Sequence, residues 1–405
     1  MSRRSHKEFG REFRLYERTQ IAYFINRPNR FLIRCESGGR ITRAFLPNPG
    51  RLIELLLPGR RMYLVEERGV KPRKTRYTAV AVEREGLPVM LHTHRTNHVA
   101  HYLLDRGKVP GLEGARVKSS EVRVGRSRFD FLLEQGRKKI FLEVKSCTLF
   151  GNQVAMFPDA VTERGARHLQ ELASLVTEGT HAAVLFIVHW PHARIFLPDY
   201  HTDPAFSETL LNVRDKVQII PLSVHWRSDL TLDGDPRPLR IPWSYIERES
   251  RDRGMYLLVL SLRRRRCLSI GRLGRINFPR GFYVYVGSAM NGLEKRIERH
   301  RRVRKRPHWH IDALRAVSEF HSAFPIRSSD RLECEIARAL SQIGEWKIPD
   351  FGSTDCLCGT HLFGFIDDPS HRADFHRILQ RFRMDRYDTV ASISGTHSDA
   401  DRISK

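Results

Sequence analysis

The stretch Ser127-Arg-Phe-Asp-Phe-Leu-Leu-Glu-Gln-Gly-Arg-Lys-Lys-Ile-Phe-Leu-Glu-Val-Lys145 decides the fold of the N-terminal half of this protein. Apolar residues alternate on both sides of Gly136-Arg137, a Gly-X pair that is favoured in two-residue hairpin turns. Because burial of one face fixes the register of a hairpin, the sequence predicts two antiparallel strands with matched apolar faces. The predicted pairs are Leu133 with Ile140, Phe131 with Leu142, and Phe129 with Val144.

The same register places Asp130 directly opposite Glu143 on the other face, with Lys145 two residues further along. Opposed residues have Cβ atoms about 5 Å apart, so two carboxylates there repel unless a proton or a cation lies between them. Mg²⁺ or Mn²⁺ would remove the repulsion, and Lys145 could orient water or stabilise charge on a phosphate. The alternative is that both acids lie on a solvated outer face, where Lys145 or Arg128 only balances their charge.

Working outward from this hairpin, the sequence predicts a helix behind Asn97, three strands, a second helix and a buried strand. Residues 19–95 alternate short strand-like runs with turns, which indicates a small β-barrel or sandwich. Polar residues and turn formers over 225–252 predict a connection to a second independent unit. The strands are predicted near 116–125, 127–134 and 139–146, the second helix from Pro158 with an apolar stripe from Val161 to Leu175, and the buried strand over Ala182–His189.

Composition points to a soluble protein with a polyanionic partner. The 405 residues suggest two or three domains, and 70 Lys and Arg against 46 Asp and Glu give a net charge of +24. A surplus of this size favours nucleic acid, although solvation of a soluble surface is the alternative. Six scattered cysteines exclude a disulfide scaffold, and no apolar stretch is long enough to span a bilayer. We therefore expect a cytoplasmic protein without a membrane partner.

Four motifs in the first half resemble the sugar fermentation stimulation protein family, over roughly residues 19–245. They are Pro47-Asn-Pro-Gly-Arg-Leu52, Ser127-Arg-Phe-Asp-Phe131, Glu143-Val-Lys-Ser146 and Phe157-Pro-Asp-Ala-Val-Thr-Glu-Arg-Gly165. The resemblance implies an OB-like barrel joined to a PD-(D/E)XK nuclease-like core, with Asp130, Glu143 and Lys145 in the Asp…Glu-X-Lys positions. The family name refers to a regulatory phenotype in sugar metabolism, and the resemblance implies DNA binding. The Pro-Asp pair of the superfamily is absent before Asp130.

The second half resembles the GIY-YIG nuclease domain over about residues 252–366. The motifs are Gly271-Arg-Leu-Gly274, Tyr285-Val-Gly-Ser-Ala289, His308-Trp-His-Ile-Asp312, Glu333-Cys-Glu335 and Phe351-Gly-Ser-Thr-Asp-Cys356. The resemblance implies that Tyr256 and Tyr285 are the paired tyrosines, that Arg296 clamps a phosphate and that Glu333 binds a divalent ion. The late Asn of that family is not identifiable. A helix with the stripe Leu293, Arg296, Ile297 and His300 is expected from spacing alone.

Basic and aromatic side chains supply candidates for nucleic-acid contact. Barrel loops, the hairpin, the helix after Pro158 and the run from Arg301 to Arg306 carry them, and solvated loops are the alternative. Trp309 could stack on a base, and Arg164 lies near a helix N-terminus suited to phosphate. The candidates are Arg51, Arg73, Lys74, Arg128, Arg164, His300, Arg301, Arg302, Arg304, Lys305, Arg306 and Trp309.

A zinc site at Cys356, Cys358 and His361 is not favoured, because the C-X-C-X2-H spacing lacks an obvious fourth ligand. For His168 on the second helix, a satisfied core histidine is the plain alternative to a role in the site.

Together these observations predict an α/β and α+β multidomain protein, in the order OB-like barrel, PD-(D/E)XK-like core and small GIY-YIG-like domain. The expected boundaries are 1–95, 96–245 and 246–370, followed by a C-terminal helix and polar tail over 371–405. The expected function is a Mg²⁺- or Mn²⁺-dependent nuclease acting on DNA. The alternatives are a non-catalytic DNA-binding regulator and an RNA-processing factor.

Overall fold

The computed structural model describes residues 12–67, 75–353 and 356–387. The chain divides into two compact units, one formed by the residues up to Pro198 with Glu208–Ile241, and the other by Asp199–Ser207 with the residues from Pro242 onward. A C-terminal helix and polar tail are predicted over 371–405, and the part beyond residue 387 lies outside the described residues. Within the described residues, no helix is long and apolar enough to cross a bilayer.

The first unit begins with a closed five-stranded barrel. Strands β1, β2 and β3 pair in order, β4 and β5 continue from the other side of β1, and a parallel pairing of β3 with β5 closes the ring. This confirms the OB-like barrel expected for the N-terminal region. The strands are β1 (Gln20–Asn29), β2 (Leu32–Ser37), β3 (Arg40–Phe45), β4 (Arg61–Glu66) and β5 (Tyr77–Arg84), with β6 (Leu87–Met90) paired to the end of β5.

A six-stranded mixed sheet with helices follows the barrel. Its strand order is β15-β14-β12-β9-β8-β7, and β9 runs parallel to β12 at the centre. The elements are α1 (Thr96–Asp105), β7 (Arg116–Val124), β8 (Ser127–Gln135), β9 (Lys138–Cys147), β10 (Leu149–Phe150), β11 (Val154–Phe157), α2 (Glu163–Ser174), β12 (Thr180–Val188), β13 (Ile195–Pro198), α3 (Pro204–Val213), β14 (Val217–Trp226) and β15 (Leu232–Pro238). The predicted helix, three strands, helix and strand are present as α1, β7 to β9, α2 and β12, but two short strands that the sequence did not predict, β10 and β11, lie between β9 and α2. Strands β10, β11 and β13 form a separate small sheet.

The hairpin of β8 and β9 turns at Gly136-Arg137, as predicted. Its ladder runs from Gln135 paired with Lys138 to Phe131 paired with Leu142, and includes Leu133 with Ile140. The ladder does not continue to the predicted pairs Phe129–Val144 and Asp130–Glu143. The ring of Phe129 instead lies 6.0 Å from that of Phe141 and 5.9 Å from that of His168. The strands therefore separate just where the acidic residues begin.

One further expectation for the first unit is wrong, and another holds only in part. Helix α2 begins at Glu163 rather than Pro158, because the Thr162 side chain accepts a hydrogen bond from Gly165 N and caps the helix there. Val161 therefore lies before the helix and is 64% exposed. The predicted connection over 225–252 is filled mostly by β15 and by helix α4 (Trp243–Glu249), so that only the boundary at Ile241 falls within it.

The second unit is built on a five-stranded antiparallel sheet in the order β20-β16-β19-β22-β21. The predicted helix with the stripe Leu293, Arg296, Ile297 and His300 is present. The elements are β16 (Gly254–Leu262), β17 (Arg266–Ser269), β18 (Arg275–Phe278), β19 (Gly281–Ala289), α5 (Leu293–Arg301), α6 (His310–Val317), β20 (Glu319–Arg327), α7 (Glu333–Leu340), β21 (Trp346–Lys347), β22 (Leu362–Phe365) and α8 (Ala373–Gln380).

Gly287 of β19 lets the phenol of Tyr256 lie across the neighbouring strand. A Cβ atom at position 287 would meet both Cζ and the hydroxyl of Tyr256 at 2.4 Å, and the ring is buried. We expect Gly287→Ala to destabilise the second unit by about 1–3 kcal/mol, the usual cost of overpacking. Hydrogen exchange in β16 and β19 measures this change. Gly359→Ala is the control, since a Cβ there meets nothing within 4 Å; equal protection in the two variants would contradict the prediction.

Candidate active sites

Asp130 lies where β8 separates from β9. Its carboxylate accepts a backbone N–H that would otherwise bond to a carbonyl of the neighbouring strand. Val144 N donates to Asp130 Oδ2 at 2.7 Å, where a paired strand would present a backbone carbonyl. Asn97 Nδ2, from the first turn of α1, donates to Asp130 Oδ1 at 2.7 Å. These two bonds hold the carboxylate at the opening between the strands.

Glu143 lies on β9 with its carboxylate buried beside two nitrogen groups. Lys145 Nζ donates to Glu143 Oε1 at 2.5 Å, and His168 Nδ1 lies 2.7 Å from the same oxygen. The other oxygen, Oε2, is buried and has no hydrogen-bond partner among the residues that the structure describes. A buried carboxylate oxygen without a partner is costly, and it is the kind of ligand that a hard divalent cation prefers.

The two acids have opposite electrostatic settings. Burial, followed by the negative charge of Glu143, raises the pKa of Asp130 above its ordinary value. Burial alone would raise the pKa of Glu143 as well, but the hydrogen bond from His168 and the Lys145 ammonium lower it overall. Asp130 and Glu143 are therefore electrostatically coupled although they are not a directly opposed pair. The set of Asp130, Glu143 and Lys145 can hold a divalent cation through the two carboxylates.

A cleft of about 260 Å³ lies beside Lys145, between the barrel and the sheet of the first unit. Its walls include Lys145, Ser146 and Thr148 from the sheet and Asn48 and Gly50 from the barrel. Asp159, on the segment between β11 and α2, binds the barrel wall of the cleft, because its Oδ2 accepts from Leu52 N at 2.7 Å and its backbone O accepts from Arg51 Nε at 3.0 Å. The candidate Arg51 is thus held at the edge of this cleft.

The other basic candidates of the first unit have different surroundings. Arg164 is exposed on the first turn of α2 and donates to His168 Nε2 at 3.3 Å. Because His168 contacts Glu143, Arg164 is connected to Glu143 through this one histidine. Arg128 is exposed and pairs with Glu121 at 2.8 Å. Arg73 and Lys74 lie outside the described residues.

The second unit has a buried polar group around Tyr256. Its hydroxyl lies 3.0 Å from His300 Nε2, and the Tyr256 and Tyr285 ring centroids are 6.4 Å apart. Burial, followed by the charge of Lys305, lowers the pKa of His300 to about 3, so this imidazole is neutral at pH 7 and one of its nitrogens can accept a proton. Burial raises the pKa of both tyrosines. The expectation that His300 contacts nucleic acid is wrong, since it is 1% exposed.

Arg296 is half-buried at the edge of this group, and its guanidinium lies 4.3 Å from the centroid of the Trp309 ring. Arg299 lies 4.3 Å from the same ring. Trp309 is thus stacked against arginines of its own chain, which is not the base-stacking position that the sequence predicts. Asp312 holds this arrangement by accepting from Arg299 at 3.0 Å and from the His308 backbone at 2.9 Å.

The basic run after α5 divides into exposed and buried members. Arg301, Arg302, Arg304 and Arg306 are exposed. Lys305 is not available to a phosphate, because its side chain is 8% exposed and its ammonium pairs with Asp312 at 2.8 Å. The sequence does not distinguish Lys305 from its neighbours, since the carboxylate that binds it belongs to another element.

Glu333 begins α7, and its carboxylate faces the tyrosines. Burial raises the pKa of Tyr285, and the charges of Tyr256 and Glu333 add to that rise. Glu335 is exposed. Glu333 Oε1 also lies 3.3 Å from His361 Nδ1. The argument against a zinc site is wrong on one point: a fourth ligand exists, because Cys334 lies with Cys356, Cys358 and His361.

Sequence reasoning missed Asn97 as part of the first site and Asp312 as the centre of the second. Asn97 is predicted as a helix cap, but α1 begins at Thr96 and the Asn97 amide binds Asp130. No local pattern connects it to a residue in a strand of another element. Asp312 ends the motif His308-Trp-His-Ile-Asp312, and its position three residues after Trp309 is a capping spacing that could have signalled its role.

The buried pair of Lys145 and Glu143 can be tested against the exposed pair of Lys118 and Glu134. We expect Lys145→Met to destabilise the first unit by about 3–5 kcal/mol near pH 7, because it leaves Glu143 buried with only His168. The pKa of Glu143 is lowered in the fold, so this pairing stabilises above the unfolded pKa and the loss should disappear as pH falls through the folded pKa. Hydrogen exchange in β8 and β9, measured in a chelator at several pH values, checks it.

Lys118→Met is the control. Lys118 pairs with Glu134 on the surface, with side chains 48% and 46% exposed, so its loss should cost about 0–1 kcal/mol at any pH. If both variants behaved alike, the Lys145–Glu143 pair would not be the buried interaction described above.

Three family models match the chain. The SfsA N-terminal OB domain matches residues 25–91, the sugar fermentation stimulation protein RE domain matches 94–229, and the Domain of unknown function DUF123 matches 255–384. These matches follow the order of the barrel, the mixed sheet and the second unit.

Relatives and a solved structure support the same family assignment for the first half of the chain. A sugar fermentation stimulation protein homolog from Moorella thermoacetica is 42% identical over 190 residues, covering 47% of this chain and 82% of the relative. One from Methanothermobacter thermautotrophicus is 38% identical, with coverage of 50% and 84%. The structure of Pyrococcus furiosus SfsA in complex with Ca²⁺ is 32% identical, with a TM-score of 0.53 and coverage of 57% of this chain and 99% of that chain. The chain therefore belongs to the sugar fermentation stimulation protein family, and a DUF123 domain follows the family region.

Proposed function

We propose that the protein is a metal-dependent phosphodiesterase that cleaves nucleic acid, DNA in the first place, with one site in each unit. The observation that carries the proposal is the grouping of Asp130, Glu143 and Lys145 where two strands separate, with Glu143 Oε2 buried and without a hydrogen-bond partner among the described residues. This residue set and the mixed sheet with its helices fit a PD-(D/E)XK nuclease core.

A divalent ion, Mg²⁺ or Mn²⁺, would be held by the carboxylates of Asp130 and Glu143. When bound, such an ion supplies Lewis-acid stabilisation of phosphate charge and lowers the pKa of water. The Pyrococcus furiosus relative was solved with Ca²⁺, which prefers the same oxygen ligands.

The protein's own residues have separate roles in this proposal. Lys145 is positioned by Glu143 to stabilise charge that develops on the phosphate or to orient water. His168 contacts the same oxygen of Glu143 as Lys145, and Arg164 reaches His168 from an exposed position near the N-terminus of α2. Arg164 and the helix N-terminus would then receive a phosphate of the substrate.

The second site fits a GIY-YIG-like nuclease. Tyr256, held by neutral His300, would act in proton transfer, and Tyr285 lies beside it. Arg296 would clamp the phosphate, since its planar guanidinium is already oriented by the Trp309 ring. Glu333 would bind a divalent ion there, because its carboxylate acts on both tyrosines whereas Glu335 is exposed.

Cleavage of DNA and RNA by the full chain in Mg²⁺ and in Mn²⁺ tests the proposal. We expect Asp130→Ala to abolish the activity of the first site, and Tyr256→Phe to lower that of the second by about 10²–10⁴-fold. The double variant should be inactive, and a chelator should inactivate the unmodified protein.

Matched controls come from neighbouring acids. Glu134→Gln changes an exposed carboxylate of the same hairpin, and Glu335→Gln changes an exposed acid two residues from Glu333. Both should keep full activity, whereas Glu143→Gln and Glu333→Gln should not. If no version of the protein cleaves either nucleic acid, the enzyme proposal is refuted.

Binding without cleavage is the second candidate function, a DNA-binding regulator. The exposed arginines 302, 304 and 306 favour polyanion binding whether or not either site is active. RNA that outcompetes DNA would instead favour an RNA-processing factor.

We expect the triple change of Arg302, Arg304 and Arg306 to alanine to weaken DNA binding for every sequence. The slope of log affinity against log salt should become shallower by about 0.9 for each phosphate contact that is lost. Fluorescence anisotropy over a salt series measures it. The control is Arg137→Ala, in the exposed hairpin turn of the first unit; an unchanged slope in the triple variant would show that this run does not contact phosphate.

A further inference from the structure

Three cysteines and a histidine of the second unit meet in space although they are separated in sequence. The ligand atoms of Cys334, Cys356, Cys358 and His361 all lie within 4.8 Å of one another. Cys334 is on the first turn of α7, and the other three are on the loop that leads into β22. Such a set of three thiols and one imidazole has the composition of a structural zinc site.

The spacing of these atoms suits a tetrahedral ion. With Zn–S bonds of about 2.3 Å and Zn–N bonds of about 2.0–2.1 Å, the edges of the tetrahedron are about 3.5–3.8 Å long. Cys356 Sγ lies 3.4 Å from His361 Nε2, which corresponds to one such edge. The four atoms therefore need only a small contraction to share one ion.

The histidine is already oriented as a ligand. His361 is 1% exposed, its Nε2 faces the thiols, and its Nδ1 lies 3.3 Å from Glu333 Oε1. Metal-bound histidines commonly direct their second nitrogen to a carboxylate, which fixes the ring and its tautomer. His361 Nδ1 is buried and has no hydrogen-bond partner among the described residues, so Glu333 is the group placed to receive it after a slight rotation.

The loop that carries three of the ligands is held by hydrogen bonds at its base. The bonds at the base include Asp350 N to Gly359 O, 2.8 Å, and His361 N to Phe351 O, 2.8 Å, and His361 O also accepts from Val286 N of β19 at 2.9 Å. Leu357, between two of the cysteines, is fully exposed and contributes nothing to the core. An ion bound by the four side chains would join this loop to α7, and closing a loop by such a cross-link removes entropy from the unfolded chain.

We propose that Cys334, Cys356, Cys358 and His361 bind one Zn²⁺ as a structural site that fastens the loop before β22 to the start of α7. Four protein ligands leave no position for water or substrate, so the ion has no part in hydrolysis. It holds His361 against Glu333 and thereby fixes the end of α7 that faces Tyr256 and Tyr285. The site does not depend on nuclease activity, because its ligands are separate from the residues assigned to either reaction.

Metal analysis of the full chain tests this proposal. We expect about one zinc per chain in protein purified without chelators, and almost none in Cys334→Ser or Cys358→Ser. Cys267→Ser is the control, because Cys267 is an exposed cysteine on β17 of the same unit, and it should keep its zinc.

A measurement on the unmodified protein tests the proposal even where the variants fail to fold. Zinc removed by a chelator is replaced by Co²⁺, which should give thiolate charge-transfer absorption and the visible bands of a tetrahedral ion, both lost when Zn²⁺ is added back. Full zinc content in Cys334→Ser would overturn the proposal, as would a disulfide between two of the three cysteines. Failure of the zinc-depleted protein to bind either ion, or iron in place of zinc, would overturn it equally.

Discussion

The first unit depends on the buried carboxylate of Glu143, which needs partners that offset the cost of its burial. Glu143 is on a central strand, and moving its charge out of water costs several kcal/mol unless partners offset it. His168 and Lys145 satisfy one oxygen and leave the other for a further ligand. Helix α2 must therefore pack so that His168 reaches the strand, and the barrel must leave Lys145 beside a cleft.

Separation of β8 from β9 creates the second half of this site. A regular ladder would continue past Phe131, but the Asp130 carboxylate accepts the Val144 N–H that a backbone carbonyl would otherwise take. The exchange satisfies the backbone and directs an acidic group into the opening. The structure thus uses one side chain both to end a hairpin ladder and to bring a carboxylate into the opening.

Both units build their sites by the same physical means. In each, a buried side chain is held by a partner from a helix that packs on the sheet: Asn97 and His168 in the first unit, and His300 in the second. Such contacts join residues from separate elements, as the sequence separations of 33, 25 and 44 show. Because these partners lie on elements that pack on the sheets, packing fixes where their side chains meet the site.

The amino-acid sequence alone determined the hairpin, its two-residue turn and the presence of Asp130, Glu143 and Lys145 on it, because turn chemistry and alternating apolar residues act over one contiguous stretch. It also indicated the main helices and strands of the first unit, and the resemblance to the GIY-YIG domain implied that Tyr256 and Tyr285 are its paired tyrosines. Only the tertiary structure decided where the ladder ends, that Lys305 is buried against Asp312, and that Cys334 joins Cys356, Cys358 and His361. These outcomes depend on which distant elements pack together, and no local spacing encodes that.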